Sequence, residues 1–231
     1  MPPLALLYDV HGNLPALEAV LADARAGGAQ RFLLGGDYGL FGPFPAEVVA
    51  TLRALEDAAW IRGNVDRWGS EPGEIPAEEE LLVRAIADYR EALGDEAADQ
   101  LGELPEQVVL DGTRYCHASP LSDLRSFLPE PGHEDEELLA DAGEPRLVFG
   151  HTHLQFRRPG PRGVELLNPG SVGLPLDGDA RAAFALVHDD ASIELRRVEY
   201  DTELTVGALR DRFGPVAWAR RSIKRLVTAE P

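Results

Sequence analysis

The sequence is short of several things. In 231 residues it has one cysteine, Cys116, one methionine, Met1, and one lysine, Lys224. A lone cysteine excludes an intrachain disulfide. No stretch approaches the roughly 18 apolar residues of a membrane span. The apolar run near the N-terminus is too short for a signal core, and no charged leader precedes it. A cytoplasmic, soluble protein with no membrane partner is the expectation. Basic residues are scarce as well, 22 Lys plus Arg against 40 Asp plus Glu. That argues against broad nucleic-acid binding, which needs a basic footprint. It leaves room for a small anionic substrate, because bound cations reverse a local field. Low-complexity tracts, internal repeats and long linkers are all missing, so a single domain over residues 1–231 is expected.

What is present begins with Asp9-Val10-His11-Gly12-Asn13, directly after the apolar run Leu4 to Tyr8. A short run, apolar on both faces, reads as a buried parallel strand. In extended geometry residues i and i+2 point to the same side, so Asp9 and His11 are expected to converge at the strand's C-terminal end. Leu14 to Ala24 has helical apolar spacing, with Asn13 as N-cap and Pro15 in the first turn. Arg31 to Leu34 is a second strand running into Gly35-Gly36-Asp37. Pro45 to Ala58 reads as a helix, and Trp60 to Arg62 as a third strand ending in Gly63-Asn64-Val65-Asp66. Repeated β-α units make parallel pairing the default.

Ser70 to Pro76 reads as a loop, and Ala77 to Leu93 and Glu96 to Leu101 as helices; the segment at about 70–105 is expected to form a small helical lid. Asp111-Gly112 marks a hairpin whose second strand delivers His117. Glu134 to Ala142 reads as an acidic helix, and Arg146 to Phe149 as a strand ending in Gly150-His151-Thr152-His153. Antiparallel strands are expected over 155–158, 164–167, 182–188 and 192–198, then closing helices over 204–213 and 216–227.

Five strand ends therefore carry candidate ligands: Asp9 with His11, Asp37, Asn64, His117, and His151 with His153. Of six histidines, four fall at these ends. Carboxylate oxygen and imidazole nitrogen without thiolate suit Mn²⁺, Fe or Zn²⁺. Seven ligands are too many for one tetrahedral ion and suit two ions sharing a bridging carboxylate.

The pattern Asp-x-His, Gly-Asp, Gly-Asn-x-Asp, His, Gly-His-x-His resembles the calcineurin-like metallophosphoesterase superfamily, in particular its small bacterial and archaeal phosphodiesterase branch. The stretches Asp9 to Leu17 and Asn168-Pro169-Gly170-Ser171-Val172-Gly173 are similar to that branch's signatures. The likeness spans residues 4 to about 200. It implies an α/β fold, a four-layer sandwich of two mixed β-sheets flanked by helices. It implies that Asp9, His11, Asp37 and His153 hold one metal and that Asp37, Asn64, His117 and His151 hold the other, Asp37 bridging. The cofactors implied are two divalent ions, Mn²⁺ first, with Fe, Zn, Ni or Mg as alternatives. The chemistry implied is hydrolysis of a small phosphate ester or nucleotide, a phosphodiester by preference, through attack of a metal-bridging hydroxide. Asp37, Asn64 and His117 are then the catalytic residues.

One departure stands out. Many relatives have histidine after the motif asparagine, where it can protonate the leaving alkoxide; here that position is Val65. General acid catalysis is worth roughly a hundredfold to ten-thousandfold, so poor leaving groups should suffer. Asp66 is expected to orient a ligand or structure the turn. Asn13 and Asn64 are candidate substrate contacts, although an N-cap explains Asn13 equally well. Asn168 to Ser171 reads as a tight turn or a phosphate-side wall. His133 and His188 read as surface residues, Arg67 and Arg125 as salt-bridge partners before substrate ligands. Arg220, Arg221, Lys224 and Arg225 read as the solvated face of the last helix. Phe41, Phe44 and Trp68 could stack a base, with core packing the default. The rival activities are a phosphomonoesterase, a protein phosphatase and a dinucleoside polyphosphate hydrolase; the rival of another class is a catalytically weak metal-binding scaffold for protein partners.

Overall fold

Both faces of the first strand are buried, and that sets the layering. Leu4, Leu6 and Tyr8 pack on one side and Ala5 and Leu7 on the other. The computed structural model describes residues 1–75 and 78–231. The end of the expected loop at Pro76 and the start of the expected helix at Ala77 lie outside the described residues. In chain order the elements are β1 (Leu4–Leu7), α1 (Leu14–Ala26), β2 (Arg31–Leu34), α2 (Pro45–Arg53), β3 (Ala58–Trp60), α3 (Asn64–Ser70), α4 (Glu80–Leu93), α5 (Asp95–Gly102) and the hairpin β4 (Gln107–Leu110) and β5 (Thr113–Cys116). Then follow α6 (Asp135–Leu138), β6 (Arg146–Val148), β7 (Phe156–Pro159), β8 (Glu165–Asn168), β9 (Ala182–Val187), β10 (Ile193–Val198), α7 (Thr202–Phe213) and α8 (Ala217–Thr228).

Two five-stranded sheets result, in the orders β10-β9-β1-β2-β3 and β4-β5-β6-β8-β7. Both are mixed: β1, β2 and β3 run parallel, as do β5, β6 and β8, while β9, β10, β4 and β7 enter antiparallel. Leu4, Leu6, Tyr8, Leu33 and Ala185 of the first sheet meet Tyr115, Val148 and Leu167 of the second in a shared apolar layer. Outside the first sheet α1 and α2 bury Leu17, Val20, Val48 and Leu52 against Leu7, Leu34 and Phe184. Outside the second, Leu138 and Leu139 cover Cys116, Leu147 and Phe149. This is the four-layer sandwich expected. The segment proposed as a lid supplies α4 and α5, whose Ile86, Tyr89 and Ala98 share an apolar cluster with Val65 of α3 and Trp218 and Leu226 of α8.

Three local expectations change. The helix expected to reach Ala58 ends at Arg53, because Ala58 to Trp60 pair with Phe32 to Leu34 as β3; a parallel partner outcompetes weak local helix preference. Gly63-Asn64-Val65-Asp66 opens α3, where the Asp66 carboxylate accepts the Gly63 N–H at 2.8 Å, half of a capping box. The β-rich stretch is divided: β7 and β8 join one sheet, β9 and β10 the other, and β8 also pairs in parallel with β6.

Candidate metal centre

The candidate ligands all follow parallel strands, β1, β2, β3, β5 and β6, at their C-terminal ends, where the two sheets meet. The first two loops zip together through their backbones. Asp9 N–H donates to Gly36 O at 3.1 Å, His11 N–H to Asp37 O at 2.9 Å and Gly12 N–H to Tyr38 O at 2.8 Å. Extended geometry is not what aligns Asp9 with His11. The strand ends at Leu7, and both residues have left-handed backbones, φ 55° and 48°. Asp37, His151 and His153 do as well, at 58°, 67° and 60°. Such conformations cost an L-residue roughly 1–2 kcal/mol each and cluster at functional sites held by surrounding structure.

That surrounding structure is the Asn168–Gly173 segment. Val172 N–H donates to Tyr8 O at 2.9 Å, Gly173 N–H to Asp9 O at 3.0 Å, and the Ser171 hydroxyl to Asp9 O at 2.7 Å. Asn168 Nδ2 donates to Gly150 O and to Thr152 Oγ1, both at 3.0 Å. The segment ties the Asp9 loop to the His151 loop from behind. Asn13 is committed in the same way. Its Oδ1 accepts from Ala16 N–H at 3.2 Å and the Thr205 hydroxyl at 2.8 Å, and its Nδ2 donates to Gly173 O at 2.8 Å and Tyr200 Oη at 3.1 Å. All four hydrogen-bonding positions of the amide are taken, so Asn13 braces the loop and has nothing left for a substrate.

The ligand atoms converge. Asp9, His11 and His153 bring one donor each within 4.8 Å of one another, and so do Asp9, Asp37 and His117. Asp37 faces both ways, with Oδ1 3.4 Å from His117 Nε2 and Oδ2 3.7 Å from His11 Nε2. Asn64 Oδ1 lies 3.0 Å from His117 Nε2 and 2.9 Å from His151 Nδ1. Three histidines are oriented by backbone carbonyls: Nδ1 of His11 by Leu40 O at 2.9 Å, of His117 by Gly35 O at 2.9 Å, and of His153 by Leu174 O at 2.5 Å. Those bonds make Nδ1 the donor in each ring and turn the three Nε2 atoms inward.

A divalent cation fits this donor set. His11 Nε2 and His153 Nε2 face each other at 3.0 Å with neither free to donate. The Asn64 oxygen is aimed at two ring nitrogens, and reversing the amide would remove that clash only by turning its NH₂ inward. Asp9 Oδ1 is fully buried with no hydrogen-bond partner among the described residues. Converging lone pairs repel one another; with a cation among them they become ligands.

The electrostatics agree. Without a bound cation, burial pushes Asp9 up to about 8, with Asp37 adding to the effect and His117 opposing it. Burial alone would lower the His117 ring, but the Asp37 and Asp9 carboxylates overcome it and hold it at about 10. Asp37 shows the converse: burial would raise it, yet His117, His11 and His151 hold it below the ordinary carboxylate range. His11 and His153 are lowered chiefly by burial, and His151 falls to about 4. Three neutral imidazoles are thus ready to ligate, and a proton on His117 carries part of the charge a cation would bring.

The motif pointed to Asp66, but its partners are read only from the structure. Fully buried, it accepts Asp37 N–H at 2.8 Å, Gly63 N–H at 2.8 Å and Tyr38 N–H at 3.2 Å, knotting the Asp37 loop to the start of α3. Val65 is buried in the helical cluster, and its N–H donates to Asp37 Oδ1 at 3.0 Å. A cavity of about 240 Å³ opens beside His117, walled by Arg62, Arg67, Ser119 and Ser122. Arg67 forks onto Asp123 at 2.6 and 3.0 Å, whereas Arg125 pairs with Glu134 and Glu137 on the surface. The Phe41 ring sits 5.8 Å from His11, Phe44 lies under Arg212, and Trp68 packs against the helical cluster. His133 is exposed and His188 borders solvent, as expected.

A buried set of carboxylates and imidazoles where two face-to-face mixed sheets meet defines the class: an α/β metallophosphoesterase sandwich. Residues 3–192 match the calcineurin-like phosphoesterase superfamily domain, and the chain belongs to that superfamily. Divalent-metal binding is a property of this class. The chain is 28% identical over 219 residues to the uncharacterized protein MJ0912 of Methanocaldococcus jannaschii, covering 86% of this chain and 88% of that protein. It is similar to the crystal structure of a metallophosphoesterase from Sphaerobacter thermophilus, with a TM-score of 0.82, 26% identity and coverage of 98% and 99% of the two chains. The fold is shared with the hypothetical protein PH1004 of Pyrococcus horikoshii, with a TM-score of 0.85, 22% identity and 99% of each chain covered. Among the described residues no helix is long and apolar enough to cross a membrane.

Proposed function

We propose that the protein is a dinuclear-metal phosphoesterase that hydrolyses small phosphodiesters. The observation that carries this reading is the two-sided Asp37 carboxylate, one oxygen toward His117 and the other toward His11. His11 and His153 gather with Asp9 on one side of it, and His117, with Asn64 and His151 beside it, on the other, Asp9 reaching both groups. Two divalent cations, Mn²⁺ first by donor type, supply Lewis acidity toward phosphate oxygens and acidify a water. The chain's own residues do the rest. His11 and His153 arrive in fixed tautomers and His117 in a fixed ring orientation, so little reorganisation is needed when charge shifts in the transition state. Asn64, held by the start of α3, offers a neutral oxygen beside the bridge. The cavity next to His117 can hold one arm of a diester, with Arg67 in its wall. Val65, buried away from solvent, supplies no proton to the departing oxygen, so esters with acidic leaving groups turn over faster. Nothing in this scheme uses Cys116, whose thiol burial pushes well up. We also propose that the helices over 80–102 cover the substrate side, within a single domain.

The test is hydrolysis of a chromogenic phosphodiester and the matching monoester by the Mn²⁺-loaded protein, beside Asp37→Asn. Diester turnover is expected to exceed monoester turnover, and Asp37→Asn to lose about a thousandfold, as when a main electrostatic element of a centre is removed. Metal binding without turnover of either ester would refute the enzymatic reading. A faster monoester would refute the diester preference alone.

A further inference from the structure

Helix α8 carries Arg220, Arg221, Lys224 and Arg225, and the fold separates them. Arg220, Arg221 and Lys224 are exposed, whereas Arg225 is partly buried beside Leu226, which is only 4% exposed. Leu226 belongs to the apolar cluster that contains Leu40 and Leu174. Those two residues supply the carbonyls that orient His11 and His153. The end of α8 is pinned there, since Gly178 N–H, in the loop after Leu174, donates to Ala229 O at 3.0 Å. Leu176 N–H, two residues before Gly178, donates to His153 O at 3.3 Å, so the last turn of α8, which Arg225 opens, is tied to the His153 loop and lies on the His11–His153 side of the centre.

Arg225 has no anionic partner among the described residues. Among the described residues its Nε is buried without a hydrogen-bond partner, and the charge acting on it is that of Arg221, one turn earlier. Like charges four apart on a helix destabilise it, and a partly buried unpaired guanidinium is costly. In a chain of net charge −18 such a cation is conspicuous. The carbonyl dipoles at the end of α8 ease the charge but do not satisfy Nε. The fork geometry of a guanidinium matches a phosphate.

We propose that Arg225, with Arg221 adding to the field, binds a phosphate oxygen of the substrate on the His11–His153 side of the centre. This rests on the phosphoesterase reading of the same site. The test uses the full chain loaded with Mn²⁺ and inorganic phosphate as the probe, titrated by calorimetry into wild type, Arg225→Gln, Arg225→Lys and the exposed control Arg210→Gln. Arg225→Gln should raise the phosphate Kd and the diester KM by about tenfold, the lower end for a lost charged hydrogen bond. Its Mn²⁺ stoichiometry, melting temperature and kcat should stay near those of wild type. Arg225→Lys should recover part of the loss, and Arg210→Gln should show none. Wild-type phosphate affinity and KM in Arg225→Gln would overturn the proposal and leave the phosphoesterase reading intact. A lowered melting temperature with unchanged phosphate affinity would overturn it too, by showing a purely structural role. A metal-loaded wild type that neither binds phosphate nor turns over an ester would overturn both.

Discussion

Asp66→Ala is the most informative single change, because Asp66 touches no reacting atom yet joins the two loops that carry Asp37 and Asn64. The carboxylate is fully buried and accepts three backbone N–H groups, those of Asp37, Gly63 and Tyr38. Alanine leaves all three buried and unsatisfied, at about 1–3 kcal/mol each. Removing a negative charge beside Asp37 works the other way: burial, with Asp37 next, raises the Asp66 carboxyl to about 7. We therefore expect a net loss of about 3–5 kcal/mol, toward the lower part of that sum. Asp66→Asn keeps one acceptor oxygen but sets an amide N–H against that of Tyr38, and should cost about half as much. The functional effect is separate. Without the knot, the Asp37 loop and the start of α3 drift apart, and Mn²⁺ affinity should fall by about tenfold to a hundredfold, as for other groups that orient metal ligands. Urea unfolding in chelator gives the first quantity, and calorimetric Mn²⁺ titration of the folded variant the second. If Asp66→Ala unfolds at the wild-type midpoint and binds Mn²⁺ with wild-type affinity, the knot is not what positions the ligands.

Gly63→Ala should disable the centre without unfolding the chain. The backbone there, φ −99° and ψ 179°, suits alanine, but an added Cβ would lie 2.1 Å from Asp37 Oδ1 and 2.9 Å from His117 Cε1. Circular dichroism should show a native fold, and Mn²⁺ titration a loss of at least about tenfold; native metal affinity would contradict the packing. For pH, Asp9 and His117 both hold their protons more tightly folded than unfolded, at about 8 against 3.8 and about 10 against 6.5. The stability they contribute is complete below the unfolded values and is lost as pH rises through the folded ones. The lowered histidines His11, His151 and His153 oppose this only below their unfolded value of 6.5. In chelator, the urea midpoint should therefore fall as pH rises from about 6.5 to about 8, while Mn²⁺ affinity rises over the same window because the cation displaces those protons. A midpoint that climbs across that window would show that Asp9 and His117 do not retain their protons.

Much of the centre was legible because parallel strands end where ligands gather. Short apolar runs named the strands, and the polar residues just beyond them named Asp9, His11, Asp37, Asn64, His117, His151 and His153, which the fold does bring together. Alternation in an extended strand was expected to align Asp9 with His11, whereas left-handed backbones do it. Residue type alone gives little sign of that, since aspartate and histidine enter the left-handed region more often than most residues but still in a small minority of cases. The length of α2 and the division of the last four strands between two sheets were likewise settled by pairing partners distant in sequence.

By itself, then, the sequence determined the chemical identity and order of the candidate donors, because residue type and strand position are local properties. Only the tertiary structure decided how they are held. The acceptors that orient His11, His117 and His153 are main-chain carbonyls of Leu40, Gly35 and Leu174, a group every residue possesses and no side chain announces. The partners of Asp66 are main-chain N–H groups, equally silent in sequence. In the sequence Arg225 resembles its exposed neighbours; the docking of α8 buries its Nε without a partner among the described residues. Such features depend on which backbone groups meet across the fold, and that is fixed only when the sheets pack and the loops close.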